Sequence, residues 1–318
     1  MTEEIYNAEH IVKTFGHGKN QVQAVKDVSF GLEKGQVTCI VGESGSGKST
    51  VARMVLGLMP ITSGKLIFQG KDVTNLKGRA RTEYWRDVQA VFQDPFSAFN
   101  QFFTVGKLLD RSMLMVGKDV GQERLEESLG YVGMDLSVLA RYPHQLSGGQ
   151  RQRVMIARAL MMQPELLIAD EATSMLDASL RVNVLNVLKD LRDQLGMTVL
   201  FITHDIGQAC YLADRVLVME HGVMVEQGKT DEVIFNPQDE YTKRLLADVP
   251  KLHEELELHD LREELQQAGE LAWQANPAGR CCAPICARAG RSVPLAATLQ
   301  DACPRSTRPR FRVVCIRT

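Results

Sequence analysis

Three short stretches of the chain are apolar at nearly every position: "VTCIVG" (37–42), "ELLIAD" (165–170) and "MTVLFITHD" (197–205). A strand with one wet face would alternate, so unbroken runs of this length predict strands covered on both faces, as in a parallel sheet. Between the second and third runs, "SLRVNVLNVLKDLRDQLG" repeats apolar residues at intervals of three and four, the spacing of a crossover helix. After the first run, "STVARMVLGL" keeps helical spacing up to a stop at Met59 and Pro60. The segments "IYNAEHIVKTFG", "AVKDVSFGLEKG" and "GKLIFQGKDV" alternate instead, and predict an antiparallel meander beside the parallel core. From about residue 94 to 162 strand signals fade and helical ones dominate, which predicts a helical subdomain inserted into the sheet. Further on, "VPKLHEELELHDLREELQQAGELAW" has Leu252, Leu256, Leu261, Leu265 and Ala272 roughly on one stripe, so this polar helix needs a surface to lie on.

Composition narrows the class. With 318 residues and 44% apolar content the chain buries one large core or two modest ones. Its 37 basic and 39 acidic side chains nearly cancel, so no overall charge draws it to nucleic acid, and none is expected as a partner. No apolar run approaches the ~18 residues of a membrane span. The start "MTEEIYNAEH" lacks the basic-then-apolar pattern of a signal peptide, and the expected compartment is the cytoplasm. Cys39 and Cys210 stand in apolar contexts and read as inert core thiols. After Asn276 the composition changes abruptly, to eight arginines, no lysine, one aspartate and five cysteines, and no fold is assigned to that tail.

Candidate chemistry begins where the first apolar strand stops. "GESGSGKS" matches G-x-x-x-x-G-K-[ST] between a buried strand and a helix N-terminus. Glycines there let successive N–H groups face phosphate oxygens, and the helix end adds roughly half a positive charge. The loop and the turn after it, Gly42, Glu43, Ser44, Gly45, Ser46, Gly47, Lys48, Ser49 and Thr50, form the expected ATP-binding set. Lys48 supplies a mobile charge for the β and γ phosphates, and Ser49 a hydroxyl for Mg²⁺. "LLIADE" offers the complementary half, with Asp170 placed to hold Mg²⁺ and Glu171 to act as base toward an attacking water.

A second pair of glycines, in "QLSGGQRQRVMIARAL", raises a separate question. Ser147 and Gln150 make a capping box, which accounts for a helix start. It leaves Gly148 and Gly149 unexplained, since two glycines cost conformational entropy that an ordinary cap avoids. Exposed N–H groups at a helix N-terminus suit an anion. One chain has little reason to wrap two such loops around one triphosphate, so a second, head-to-tail copy is expected to bring this turn to the γ-phosphate.

At this point the chain resembles the ATP-binding cassette (ABC) ATPases over residues 5 to about 235, with "GESGSGKST", "VFQDP", "LSGGQ", "LLIADE", "SMLD" and "ITHD" in family order and spacing. The resemblance implies an α/β fold: a P-loop NTPase core with an antiparallel β subdomain and an inserted α-helical subdomain. It implies that Gln93 senses Mg²⁺ and the attacking water, and that Ser147, Gly148, Gly149 and Gln150 form the signature reaching a partner's γ-phosphate. It likewise implies that Asp177 contacts across the dimer, His204 is the switch on the γ-phosphate and Phe15 stacks on adenine. Met175 stands where alanine is commoner in the family.

The resemblance narrows further. "QDPFSAFN" and "NPQDEYTKRLLADVP" (236–250) are similar to the oligopeptide and dipeptide uptake branch, whose subunit type also serves oligosaccharide and nickel importers. It implies an energy-coupling ATPase, peripheral on the cytoplasmic face of the inner membrane. Its partners would be a second ABC ATPase subunit, identical or paralogous, two transmembrane permease subunits and, indirectly, an extracytoplasmic solute-binding protein. An exporter cassette and a non-transport ABC ATPase are the alternatives. "FQDPFSAFNQFF" holds five of eleven phenylalanines, some of them expected in an exposed protein contact. The expected division is a nucleotide-binding domain at 1–235, an importer-type extension at 236–275 and a Cys/Arg-rich tail at 276–318. Some members of the branch end in cysteines that hold an iron-sulfur cluster, but Cys281, Cys282, Cys286, Cys303 and Cys315 lack that spacing.

Overall fold

The computed structural model describes residues 3–16, 18–93, 100–116, 122–174, 176 and 178–247. Its strands in chain order are β1 (Glu4–Phe15), β2 (Val22–Glu33), β3 (Val37–Val41), β4 (Ser63–Phe68), β5 (Lys71–Asp72), β6 (Val88–Phe92), β7 (Leu166–Asp170), β8 (Thr198–Thr203), β9 (Arg215–Glu220) and β10 (Val223–Lys229). They form an antiparallel sheet in the order β2-β1-β4-β5 and a six-stranded sheet in the order β10-β9-β3-β8-β7-β6. In the larger sheet β9, β3, β8, β7 and β6 are parallel, and β10 turns back antiparallel on β9.

Every residue of β3, β7 and β8 is buried, as unbroken apolar runs require. Pleating sends alternate side chains to opposite faces. Val37, Cys39, Val41, Leu167, Ala169, Val199 and Phe201 join one core. Ile40, Leu166, Ile168, Leu200 and Ile202 join the other. Helices close the first face: α3 (Val105–Val116), α4 (Gln122–Tyr131), α5 (Gly148–Leu160), α6 (Ala178–Leu195) and α7 (Ile206–Leu212). The second face is closed by α1 (Lys48–Val55), through Val51, Ala52, Met54 and Val55, and by Tyr6, Ile11, Val28 and Phe30 of the antiparallel sheet.

The helix after the glycine loop stops earlier than its spacing predicts. It ends at Val55, because Gly57 takes φ 65° and closes the terminus. Gly57 N donates to Met54 O and Leu58 N to Arg53 O, the paired bonds of a glycine-terminated helix. From α2 (Gly78–Asp87), Tyr84 Oη donates to Val55 O at 2.5 Å and Trp85 Nε1 to Leu56 O at 2.8 Å, satisfying carbonyls that the helix end leaves open.

Between 100 and 162 the described residues form α3, α4 and α5, with 3₁₀ turns at Leu136–Ala140 and Pro143–Gln145. Two short helices complete the chain order, α8 (Thr230–Phe235) and α9 (Glu240–Ala247). Phe96, Phe99, Met175, Asp177, the amphipathic stripe from Leu252 to Ala272 and the terminal cysteines all lie outside the described residues.

The account of the two cores makes Phe201, fully buried in β8, a central packing residue. Phe201→Ala is expected to cost about 3–5 kcal/mol in denaturant unfolding, the range for a deleted core phenylalanine. A loss within the range of surface substitutions, about 0.5 kcal/mol, would contradict that placement.

Candidate functional site

The parallel strands end together. Val41 of β3 pairs with Thr203 of β8, and Asp170 of β7 pairs with Ile202 of β8 and with Phe92 of β6. The next residues along these strands, Gly42, His204, Glu171 and Gln93, therefore emerge along the carboxyl edge of the sheet. Open α/β sheets bind ligands at that edge.

Gly42 leaves β3 with φ 151°, and a Cβ there would stand 2.1 Å from Met219 O. Gly47, the residue before α1, has φ 106° and would bring a Cβ 2.6 Å from Ala24 O. The loop is thus pressed against backbone on its inner side. Glu43, Ser44 and Gly45 are exposed, whereas Ser46 and Lys48 are buried. Ser46 O accepts from Gly222 N at 2.9 Å, in the turn between β9 and β10.

Lys48 Nζ donates to Gly42 O (2.7 Å), Glu43 O (2.6 Å) and Ser46 Oγ (3.2 Å). Burial pulls its pKa down, and the nearby carboxylates Glu171 and Asp170 push it back up. An ammonium in such a place needs acceptors, and the loop's own carbonyls provide them.

Ser49, in the first turn of α1, donates from Oγ to Asp170 Oδ1 at 3.0 Å. Burial raises the Asp170 pKa, the Ser49 hydrogen bond lowers it and the neighbouring Glu171 raises it again. Glu171 takes φ 48°, unusual for a residue with a side chain, and its N–H donates to Ile202 O at 2.9 Å. Its carboxylate accepts from Ser174 Oγ at 3.1 Å and lies 3.6 Å from His204 Nδ1. Strained backbone beside two carboxylates and a histidine is the kind of feature that gathers at active sites.

The donors fit a hard divalent cation. Ser49 Oγ and Asp170 Oδ1 are oxygens, and Mg²⁺ takes one or two carboxylates and completes its shell with phosphate and water. Among the described residues no group of three or more His, Cys, Asp and Glu could hold a metal, so an ion here would depend on phosphate oxygens.

At the second glycine pair, Ser147 caps α5. Ser147 Oγ accepts from Gln150 N (3.2 Å) and Gln150 Oε1 accepts from Ser147 N (3.0 Å), completing the capping box. The glycines divide in their reasons. A Cβ on Gly149 would lie 3.0 Å from Leu180 Cδ1, so close packing against α6 favours glycine there. A Cβ on Gly148 would meet Leu176 Cδ2 at 3.6 Å, an ordinary contact, so packing does not explain Gly148.

Of the remaining expected residues, Gln93 is exposed just beyond β6, and Phe15, 41% exposed, ends β1 with Lys13 Nζ 5.2 Å from its ring centroid. Asp177 lies outside the described residues. Sequence reasoning missed the layer behind the loop, formed by Met219, Gly222 and Tyr241, whose Oη accepts from Glu43 N at 2.9 Å. The one signal for it in the sequence is the string "EYTKRLL", which stands out only through the family resemblance.

A family profile described as ABC transporter matches residues 25–174. The Streptococcus pyogenes serotype M1 "Oligopeptide transport ATP-binding protein OppF" is 40% identical over 255 residues, covering 79% of this chain and 83% of the relative. The Haemophilus influenzae "Dipeptide transport ATP-binding protein DppF" is 39% identical over 264 residues, 82% of this chain and 80% of the relative. Among solved structures, the dimeric post-hydrolysis state of the ATP-binding cassette MJ0796, bound to ADP and Pi, superposes with a TM-score of 0.63 at 28% identity, covering 71% of this chain and 98% of that one.

The loop geometry grades its glycines. Gly45→Ala meets nothing within 4 Å and has only its φ of 83° to oppose it, whereas Gly42→Ala also collides with Met219 O. Thermal melts of the two variants should show Gly45→Ala losing about 1–2 kcal/mol and Gly42→Ala losing more. Equal losses, or the reverse order, would contradict the buttressed loop.

Proposed function

Because the chain belongs to the ABC transporter ATP-binding proteins, we propose that it is the ATP-hydrolysing, energy-coupling subunit of an importer for oligopeptides or dipeptides. The observation that carries this reading is the 3.0 Å bond between Ser49 and Asp170, which joins the phosphate loop to the acidic strand end across 121 positions. The peptide class is supported by relatives named for oligopeptide and dipeptide transport that align over about four-fifths of both chains.

The triphosphate lies against the loop from Gly42 to Thr50, at the positive end of α1. Lys48 gives up loop carbonyls for β- and γ-phosphate oxygens. Ser49 and Asp170, with Gln93 beside them, would hold Mg²⁺, which supplies neutralisation of phosphate charge when bound. Glu171 takes a proton from the attacking water as its oxygen bonds to the γ-phosphorus and the bond to the β-phosphate oxygen breaks, leaving ADP and phosphate. His204, whose Nδ1 lies 3.6 Å from the Glu171 carboxylate, would act as the switch on the γ-phosphate. Phe15 stacks on the adenine.

A second cassette, identical or paralogous, completes the site with its Ser147, Gly148, Gly149, Gln150 and Asp177. The dimeric MJ0796 cassette with ADP and Pi supports this arrangement. Phe92 and Phe102, 39% and 88% exposed, offer apolar contact to two transmembrane permease subunits. A solute-binding protein would deliver cargo on the far side of the membrane, leaving this subunit peripheral on the cytoplasmic face. Among the described residues no helix is long and apolar enough to cross a membrane.

Glu171→Gln tests the chemistry. Turnover should fall about 10²- to 10⁴-fold while ATP binding persists and a closed dimer accumulates in light scattering. Near-parental turnover would remove Glu171 as the base. Affinity purification of the full chain from its host should bring two integral-membrane proteins, and ribosomal or DNA-repair partners without them would reject the transport role.

A further inference from the structure

Behind the phosphate loop, the peptide unit between Gly42 and Glu43 is gripped from both ends. Its carbonyl, Gly42 O, accepts from Lys48 Nζ at 2.7 Å. Its N–H, on Glu43, donates to Tyr241 Oη at 2.9 Å, across 198 positions of sequence. In a trans peptide these two groups point in opposite directions. Lysine and tyrosine therefore fix the plane of one peptide from opposite sides.

Tyr241 is well placed to act as the fixed side of this clamp. Its side chain is only 4% exposed and belongs to the helix-covered core. A phenol is uncharged near neutral pH, and burial here raises its pKa further. The helix it stands on is tied to the sheet at its start and again near its middle. Tyr241 N donates to Asp239 Oδ1 (2.8 Å), and Gln238 N and Asp239 N donate to the Glu226 carboxylate on β10 (2.8 and 3.2 Å). One turn further, Arg244 Nη2 reaches Glu220 Oε1 on β9 at 3.3 Å. Glu43 itself is exposed, so without Tyr241 its N–H would turn to water and Lys48 alone would hold the peptide.

We propose that Tyr241 is a positioning residue of the nucleotide site, its hydroxyl holding the Glu43 N–H so that the loop keeps its phosphate-receiving shape when Lys48 leaves Gly42 O for the ligand. The helix after the ATPase core thereby becomes part of the binding apparatus. In the ligand-free chain Lys48 holds the same peptide, so the tyrosine contact matters most at the moment of binding.

The inference rests on nucleotide binding at this loop, and its test separates the two. ADP, which engages the loop without hydrolysis, is titrated calorimetrically into the full parental chain and into Tyr241→Phe, with steady-state ATPase kinetics alongside. Tyr241→Phe keeps the ring and removes one hydrogen-bond acceptor. The expected result is an ADP Kd and an ATP KM both raised about three- to tenfold, the usual worth of one hydrogen bond, with kcat and the ligand-free Tm unchanged. An unchanged Kd overturns the inference. So does weaker binding accompanied by a lower ligand-free Tm, which would mark Tyr241 as a residue of the fold. A parental chain that binds no ADP would defeat the functional reading itself.

Discussion

A buried ammonium organises this molecule's working edge. Lys48 sits beneath the loop at the end of β3, and a charge in that place must be surrounded by acceptors. Gly42 O, Glu43 O and Ser46 Oγ turn inward to meet it, and that curl gives the loop its shape. The carboxylates of Asp170 and Glu171, at the end of β7 and one strand removed from β3 across β8, offset the cost of burial. A strand order that moved β7 beyond β8's flank, or a register slipped by one residue, would take these counter-charges away from the cation.

The sheet exists to hold that edge still. β3, β8 and β7 are buried on both faces, and alternate residues feed two separate cores. One core carries the helices that present Ser147 and Gly148, and the other carries α1, which presents Lys48 and Ser49. A third layer stands behind the loop, where Met219 O, Gly222 N and Tyr241 Oη meet its inner side. The glycine loop is thus a surface held from behind by the backbone of β9 and of the β9–β10 turn and by the tyrosine side chain of α9.

Much of this was legible in sequence. The doubly covered strands announced themselves by unbroken apolar runs, the crossover helix by its period, and the loop and acid pair by chemistry that needs those residue types at that spacing. β9, "RVLVME", carries the same signal, a short apolar run closed by the turn at His221 and Gly222, but bears no chemistry of its own and is easily passed over. The early end of α1 was hidden in Gly57, whose left-handed conformation outweighed the apolar periodicity running past it. The positive φ of Glu171 and the bond from Glu43 to Tyr241 are tertiary facts, and no local pattern encodes a contact across 198 positions. Gly149 shows the opposite case: a glycine read for ligand approach also has a packing reason in Leu180.

The central claim is that the site facing the γ-phosphate is finished only by a second cassette. It is tested most directly by the specific ATPase rate of the full chain measured across a wide range of chain concentrations, with light scattering on the same samples. The account predicts a rate per chain that climbs with concentration and levels off as dimers form. A constant rate per chain, held down to concentrations where only monomers scatter, would show a site complete in one chain and contradict the account.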